Sequence, residues 1–289
     1  MFRPHKCNAW AATLLDLVLV TIVTSVSVSC DVNVIVGDSP SPSEAGGAGG
    51  NPSSEGTGGA APTVLWSSDH ETGDLSEWDL LDSEAPPELI WGGGTLDTVL
   101  GGGTNNGYGV QFTIDTTVDA LSHGARLYRS IEPEPAYYGA WFRLEGHHEV
   151  SDWWAILVFQ GRTAVSSFES VTYLWDVRLV SDAQENLRLQ FFEPTTARSY
   201  ESQMSHRVPV GEWFHLEVYL DFSPPQATHA RVYLNDTLVF DVAPLESEQP
   251  PHVLWGVGNG GAGLTPTLST LFVDDVTVAT GRLGTAGRD

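Results

Sequence analysis

Four short segments of the chain place arginine, amide and aromatic side chains at positions that differ by even numbers. In an extended strand such residues point to the same side of the sheet. The residues with this spacing are Arg126, Tyr128, Trp154, Gln160, Asp176, Arg178, Arg188 and Gln190. A guanidinium group pairs with a carboxylate or sulfate through parallel hydrogen bonds, and an aromatic ring packs against the apolar face of a sugar. If the segments are neighbouring strands, this set predicts a sheet face that binds an anionic or neutral polysaccharide.

The same residues also fit a simpler interpretation, as ordinary solvent-facing side chains on a convex sheet. An ion pair such as Asp176 with Arg178 would then contribute little to stability. The chain has only 13 lysines and arginines against 37 acids, so a face with three arginines would gather a notable share of its positive charge. Clustered arginines and aromatics are typical of binding surfaces.

The formal charge of the chain is −24, and Lys6 is its only lysine. Such a surface repels nucleic acid and attracts divalent cations. The sequence also has no phosphate-binding glycine loop, no dinucleotide motif and no G-x-S-x-G nucleophile motif. Nucleic acid is therefore excluded as a partner.

The elements that must position these residues are short strands. Apolar and aromatic runs alternate with Gly, Pro, Asn, Asp and Ser clusters from Val64 to Ala279, and no segment has a 3.6-residue apolar stripe. The predicted strands are Gly109–Asp115, Ala125–Ser130, Tyr138–Leu144, Trp153–Gln160, Tyr173–Val180, Leu187–Glu193, Trp213–Asp221, Ala230–Leu234, Thr237–Val242, His252–Val257 and Leu271–Ala279. Asn235-Asp236 predicts a tight hairpin turn between two of them. The pattern indicates an all-β protein with two packed antiparallel sheets.

Strict alternation predicts which strand residues face the core. The predicted inward residues are Trp153, Ala155, Leu157 and Phe159, then Tyr173, Trp175, Val177 and Leu179, and finally Leu187, Leu189 and Phe191. The binding face takes the alternate residues of the same strands.

The N-terminal region has a different composition. A short basic start, an apolar run over residues 9–28 and small residues before Cys30 are the order of a secretory signal. A retained membrane anchor is the alternative, because the run is nearly long enough to span a bilayer. We interpret residues 1–30 as a signal peptide of lipoprotein type, 31–62 as a disordered Gly/Ser/Pro linker, 63–280 as the folded domain and 281–289 as a flexible tail.

Cys30 would be the only cysteine left after cleavage, which rules out an intramolecular disulfide. Its position resembles the acylation site of bacterial lipoproteins, and an acyl chain there would anchor the domain to a membrane. The alternative is simple secretion with an incidental cysteine. Both interpretations predict an exported protein, either a membrane-anchored lipoprotein of the cell envelope or a secreted one.

Three segments resemble the concanavalin A-like jelly rolls. Residues 70–78 (HETGDLSEW) are similar to the opening "FE-x-G-x-x-x-x-W" of such domains. Residues 210–218 with 231–236 resemble their "G-x-W-H … V-x-L-N-G" hairpin, and 271–276 (LFVDDV) resemble their closing strand. The resemblance covers about Val64 to Ala279, and it implies a concanavalin A-like two-sheet jelly-roll sandwich.

Within that superfamily the chain is most similar to the heparin-lyase-like polysaccharide lyases and the laminin-G-like domains. The lyases carry a "Q-x-H" strand, where this chain has Gln160-Gly161-Arg162, and an arginine strand similar to residues 125–129. Their late "Y-x-K" element is absent. Lyase chemistry needs a base to remove the proton beside the uronate carboxylate, and the usual residues for it are missing.

The resemblance also implies a structural Ca²⁺ ion that joins the first and last strands. By position its ligands would be Glu71, Asp74, Asp274 and Asp275, and carboxylate oxygens are the ligands that Ca²⁺ prefers. The alternative is a solvated acidic turn beside a strand end.

Three functions follow as hypotheses. The first is a non-catalytic polysaccharide-binding domain of an exported lipoprotein. The second is a polysaccharide lyase or glycanase of the same fold with a diverged active site, although no E-x-D-x-x-E spacing of a retaining glycanase is present. The third is an envelope protein that uses the sandwich for display.

Overall fold

The computed structural model describes residues 61–78, 87–118, 120–131, 135–162, 171–222, 228–243, 245 and 252–285. The described residues contain fifteen strands and no helix. The strands are β1 (Val64–Ser68), β2 (Glu88–Trp91), β3 (Thr95–Leu100), β4 (Tyr108–Asp115), β5 (His123–Ile131), β6 (Ala136–Leu144), β7 (Glu149–Arg162), β8 (Val171–Ser181), β9 (Leu187–Glu193), β10 (Arg198–Glu201), β11 (Trp213–Asp221), β12 (His229–Leu234), β13 (Thr237–Val242), β14 (His252–Thr265) and β15 (Leu268–Ala279).

The strands form two antiparallel sheets, as the sequence predicts. The eight-stranded sheet has the order β13-β12-β11-β6-β15-β4-β3, with β1 also paired to β15. The seven-stranded sheet has the order β10-β9-β8-β7-β14-β5-β2. Neighbours in each sheet are often distant in sequence, which is typical of a sandwich with crossover connections.

One continuous core fills the space between the sheets. It includes Phe142 and Phe214 from the eight-stranded sheet and Leu157, Phe159 and Trp255 from the seven-stranded sheet, all at most 1% exposed. Burying an aliphatic or aromatic side chain of this size contributes about 1.5–3 kcal/mol. The core therefore fixes which face of each strand remains outside.

Two bulges shift the alternation and correct part of the predicted core. In β7 the pairing slips between Ala155 and Leu157, so that Ile156 and Leu157 both point inward. The residues before the bulge then change sides, and the predicted binding residue Trp154 lies fully buried in the core. Trp153, which alternation assigns to the core, instead packs on the outside of the sheet.

The bulge in β8 has the same effect. The pairing slips between Trp175 and Tyr173, so Leu174 and Trp175 both enter the core. Tyr173, predicted to be buried, is 44% exposed on the outside. A bulge inserts one unpaired residue and reverses the faces beyond it, and nothing in the residue types marks its position.

Four strands, β1, β2, β3 and β10, are absent from the sequence prediction, and β14 runs eight residues beyond its predicted end at Val257. The extension contains glycines at 258, 260, 261 and 263. Glycine is depleted in strands, so the sequence of this segment does not predict the strand that the structure contains. The predicted turn at Asn235-Asp236 is present, with both residues at positive φ between β12 and β13.

The described residues begin at 61, within a compact unit that spans 58–289. The predicted signal peptide, Cys30 and almost all of the predicted linker lie outside the described residues. No helix suited to crossing a membrane occurs in the described part of the chain.

Candidate functional site: the outer face of the seven-stranded sheet

The pairing of the strands brings the predicted binding residues to one surface, the outer face of the seven-stranded sheet. Arg178 in β8 pairs with Gln190 in β9 and with Ala155 in β7. Toward the C-terminal end of β7, Gln160 pairs with Leu254 in β14. Leu254 in turn pairs with Ser130 in β5. The outer face therefore carries seven of the eight predicted residues: Arg126, Tyr128, Gln160, Asp176, Arg178, Arg188 and Gln190.

An open cavity of about 270 Å³ lies on this face. Three predicted residues, Arg126, Asp176 and Arg178, line it. The other described lining residues are Trp91, Ser122, Trp153, Tyr173 and Pro194. The wall is thus two arginines and one carboxylate among aromatic rings, a composition suited to a polar ligand with flat apolar faces.

Arg126 provides a buried cation in the cavity wall. Its side chain is 2% exposed, and its guanidinium carbon lies 5.2 Å from the ring centre of Trp91. Among the described residues its only hydrogen-bond acceptor is the Tyr128 hydroxyl, 3.4 Å from Nη1, and Nε has no acceptor. Burial acts to lower the pKa of Arg126, but Tyr128 and Asp176 outweigh it and raise the pKa above its usual value. The group remains charged, with donors available to an anion.

Glycines of β14 make the room in which Arg126 and Tyr128 lie. A Cβ at Gly256 would come within 2.6 Å of the Tyr128 ring, and one at Gly260 within 2.8 Å of Arg126 Nη2. A Cβ at Gly258 would meet the Ala125 carbonyl oxygen at 2.3 Å. The glycine-rich sequence of β14 therefore allows two large side chains of β5 to lie across the neighbouring strand.

Asp176 and Arg178 lie side by side on β8 and form an ion pair in the cavity wall. Both Nε and Nη2 of Arg178 donate to Oδ2 of Asp176, over 3.2 and 2.7 Å. The Arg178 guanidinium also stacks on Phe192, with its central carbon 3.7 Å from the ring centre, and lies 5.7 Å from Trp153. The pair is thus held in one geometry by packing as well as by charge.

Tyr128, Gln160 and Arg162 form a buried polar group beside the cavity. Each is at most 1% exposed, and Gln160 Nε2 donates to the Tyr128 hydroxyl over 3.0 Å. Burial raises the pKa of Tyr128, although Arg126 opposes this. Burial also lowers the pKa of Arg162, to about 10. Tyr128 is therefore a neutral phenol over the physiological pH range.

The structure does not bring Arg188 and Gln190 into the cavity lining. Arg188 donates to the Ser202 carbonyl over 2.9 Å and to Glu201 over 3.2 Å, and its Nε lies 3.9 Å from Asp182. These contacts join β9 to the β10 edge of the sheet. Arg188 thus has a structural role on the predicted face.

Three of the four predicted calcium ligands, Glu71, Asp274 and Asp275, contact the loop between β3 and β4 or the residue that follows it. Thr104 Oγ1 donates to Asp274 over 2.9 Å and also contacts Asp275 at 2.8 Å. Glu71 reaches the other end of the loop, 3.5 Å from the Tyr108 amide nitrogen. Asp74 instead accepts hydrogen bonds from Thr72 and Ser76 in its own turn.

The described contacts connect Asp274 and Asp275 through Thr104, whereas those of Asp74 stay within its own turn. No cluster of three or more His, Cys, Asp or Glu side chains suited to a metal occurs in the described ranges. The part that fits the chemistry of Ca²⁺ is the Asp274–Asp275 pair, because both carboxylates approach the Thr104 hydroxyl.

Several cavity residues do not follow from sequence reasoning. Alternation predicts that Trp153 and Tyr173 face the core, and Trp91 lies in a strand that the sequence pattern does not predict. Their aromatic character was the available signal, but only the bulges and the pairing of β2 with β5 place them on the outer face.

Comparisons with known proteins support the architecture. No protein-family model matches the chain, and no curated protein matches its sequence. The endo-β-1,4-glucuronan lyase of the fungus Trichoderma reesei superposes with a TM-score of 0.55 at 14% identity, covering 76% of this chain and 96% of that one. The cellulose-induced protein Cip1 superposes with a TM-score of 0.52 at 15% identity, covering 75% and 98%. The chain shares their fold, in agreement with the concanavalin A-like sandwich that the sequence motifs predict.

Proposed function

We propose that this domain binds an anionic polysaccharide, of the uronate type, in the cavity on the outer face and that it does so without catalysis. The observation that carries the proposal is Arg126, a charged side chain 2% exposed in the wall of an open cavity, with one long hydrogen bond among the described residues. A buried charge is costly without a partner. A carboxylate of the ligand supplies the missing acceptors.

The remaining wall suits a sugar. Trp91, Trp153 and Tyr173 offer aromatic surface to the apolar face of a ring, and Arg178 adds a second cation. The cavity volume of 270 Å³ is near the lower end, about 300 Å³, of small-molecule sites. One unit of a polymer fits such a site while its neighbours extend beyond it.

The shared fold gives independent support. One structural neighbour is named as a lyase of glucuronan. The same architecture therefore presents a surface to a polysaccharide in at least one other protein, although fold alone does not transfer a function.

Binding to uronate oligomers tests the proposal. A glycan array followed by calorimetry should detect alginate, polyglucuronate or polygalacturonate oligomers. Arg126→Gln should weaken binding at least about tenfold, because a hydrogen bond to a charged group contributes about 1.5–3 kcal/mol. Arg231→Gln is the matched control, because Arg231 is 37% exposed on the other sheet. Absence of uronate binding by the wild type, or equal loss in both variants, contradicts the proposal.

A second candidate, β-elimination at a uronate, is favoured by one observation. Tyr128 and Gln160 are hydrogen-bonded next to Arg126, so a phenol, an amide and a cation lie together. However, Tyr128 is fully buried and its pKa is raised by burial, which makes it a poor base. Glycoside hydrolysis is disfavoured because Asp176 is the only carboxylate among the described lining residues, and hydrolases use two.

Product absorbance separates binding from elimination. Elimination at a uronate yields an unsaturated product that absorbs at about 235 nm. We expect no absorbance change with any of the three polymers. An absorbance signal that disappears in Tyr128→Phe would establish the lyase. If the domain shows neither uronate binding nor an absorbance change, the result supports a role in display.

We also propose that the domain is exported and held at the cell envelope by a lipid on Cys30, with residues 31–62 as the tether. The small residues before Cys30 and the Gly/Ser/Pro composition of 31–62 support this. Metabolic labelling with a radioactive fatty acid tests it: label should enter the wild type and be absent from Cys30→Ser.

Finally, we propose a structural Ca²⁺ ion at Asp274 and Asp275, with Glu71 near the same loop. The shared approach to Thr104 supports the pair as ligands, and Asp74 is not included because it caps its own turn.

A further inference from the structure

We infer that Asp176 determines which uronate polymers bind, by selecting a free sugar hydroxyl beside the bound carboxylate and by rejecting units that are O-sulfated or O-acetylated there. This inference rests on the proposed function and assigns a role to one residue of the same cavity. It predicts a preference between modified forms of one polymer, which the arginines alone do not provide.

The first step is an unused acceptor. Asp176 lines the cavity and is 4% exposed. Its Oδ2 accepts both hydrogen bonds from Arg178, while its buried Oδ1 has no hydrogen-bond partner in the described part of the chain. A buried polar atom without a partner is costly and uncommon. A ligand donor at this position removes that cost.

The second step is the chemistry of the donor. A carboxylate oxygen accepts hydrogen bonds and donates none, so its partner in a sugar is a hydroxyl group. The same cavity holds the guanidinium of Arg126, and Asp176 is close enough to raise the pKa of that group. A uronate unit carries both the carboxylate for Arg126 and a hydroxyl for Asp176.

The third step is the exclusion of O-acetylated and O-sulfated sugar units. Replacing the hydroxyl with an acetyl ester removes the donor and leaves Oδ1 buried and unpaired. A sulfate ester also places a negative charge next to the Asp176 carboxylate, and two like charges repel each other at short range. A site built to hydrogen-bond a hydroxyl discriminates strongly against analogues that lack it.

Arg178 keeps Asp176 in position. Two of its nitrogens donate to Oδ2, and its guanidinium stacks on Phe192. In Asp176→Asn the single oxygen of the amide would remain with these donors. The amide NH₂ would then take the position of the buried Oδ1, so the variant presents a donor where the wild type presents an acceptor.

Calorimetry on the whole chain tests this with polyglucuronate, polygalacturonate and alginate oligomers, each unmodified, O-acetylated or O-sulfated. The wild type should bind the unmodified form of its preferred polymer at least about tenfold more tightly than either modified form. Asp176→Asn should reduce this ratio to below about threefold, mainly through tighter binding of the sulfated form. Asp241→Asn, which alters a carboxylate 49% exposed on the other sheet, should keep the wild-type ratio.

The outcomes separate the two proposals. Failure of the wild type to bind any uronate overturns the proposed function itself. Equal binding of modified and unmodified oligomers by the wild type, or an unchanged ratio in Asp176→Asn, overturns only the role of Asp176. If Asp176→Asn does not fold, Asp176→Ser removes the charge without adding volume and is judged by the same ratio.

Discussion

The indole N–H of Trp154 donates to Oδ1 of Asn259 over 2.7 Å, inside the core between the two sheets. The amide nitrogen of Asn259 donates in turn to the Ser269 carbonyl oxygen over 3.2 Å, and it lies 3.4 Å from the Phe112 carbonyl oxygen. Asn259 belongs to the seven-stranded sheet, whereas Phe112 and Ser269 belong to the other. A single buried amide thus connects both sheets to the tryptophan that the bulge turns inward.

We expect Asn259→Ala to destabilise the domain by about 3 kcal/mol, because the Trp154 N–H and the carbonyl groups lose their partner in a buried site. The melting temperature should fall by roughly 6–12 °C for a domain of this size. Gln184→Ala, at an exposed amide, is the control. A melting temperature that is equal in both variants would show that the amide network is unimportant.

Alanine substitutions at two glycines of β14 should have different effects on ligand binding and on the stability of the domain. Gly260→Ala places a methyl group against the flexible end of Arg126, so uronate binding should weaken severalfold with little change in melting temperature. Gly256→Ala places it against the fixed ring of Tyr128, which should cost about 1–3 kcal/mol of stability. Calorimetry and thermal melts measure the two effects. Gly146→Ala, whose Cβ meets only His148 at 3.8 Å, should change neither.

Calcium should raise the melting temperature of the wild type, because an ion that binds only the folded state stabilises it, by about 2.7 kcal/mol at a hundredfold excess over Kd. Asp274→Asn should abolish this calcium-dependent rise, and Glu71→Ala should reduce it. Asp97→Asn, at an exposed carboxylate, should retain it. No effect of calcium on the wild type would rule out the ion.

Acidification should destabilise the domain through His148. Burial lowers the pKa of this histidine, against the opposing hydrogen bond of its Nδ1 to the Pro266 carbonyl oxygen, 2.8 Å away. The unfolded chain therefore takes up a proton below about pH 6.5 while the folded protein does not, and stability falls as the pH drops through this range.

The variant His148→Asn keeps a donor for Pro266 but does not titrate. Its melting temperature should fall less than that of the wild type between about pH 7 and pH 5, a window above the pH at which carboxylates are protonated. An identical decrease in both proteins would assign the pH effect to other groups.

The amino-acid sequence by itself determined the class of fold and most of the polar residues on the outer face of the seven-stranded sheet. Period-two alternation in Leu187–Glu193 assigned Arg188 and Gln190 correctly to the outside, because burial of Leu187, Leu189 and Phe191 leaves their neighbours no other side. The motif around Asn235-Asp236 likewise specified its turn, since both residues tolerate positive φ.

Only the tertiary structure decided which aromatic residues line the cavity. Trp153 and Trp154 are adjacent and identical in type, so their sides depend on the bulge at Ile156. That bulge is set by pairing with β8 and β14, strands distant in sequence, and not by local propensity. Oδ1 of Asp176 has no hydrogen-bond partner among the described residues, while Oδ2 takes both donors of Arg178. The position of Arg178 depends in turn on its stacking against Phe192 in the next strand.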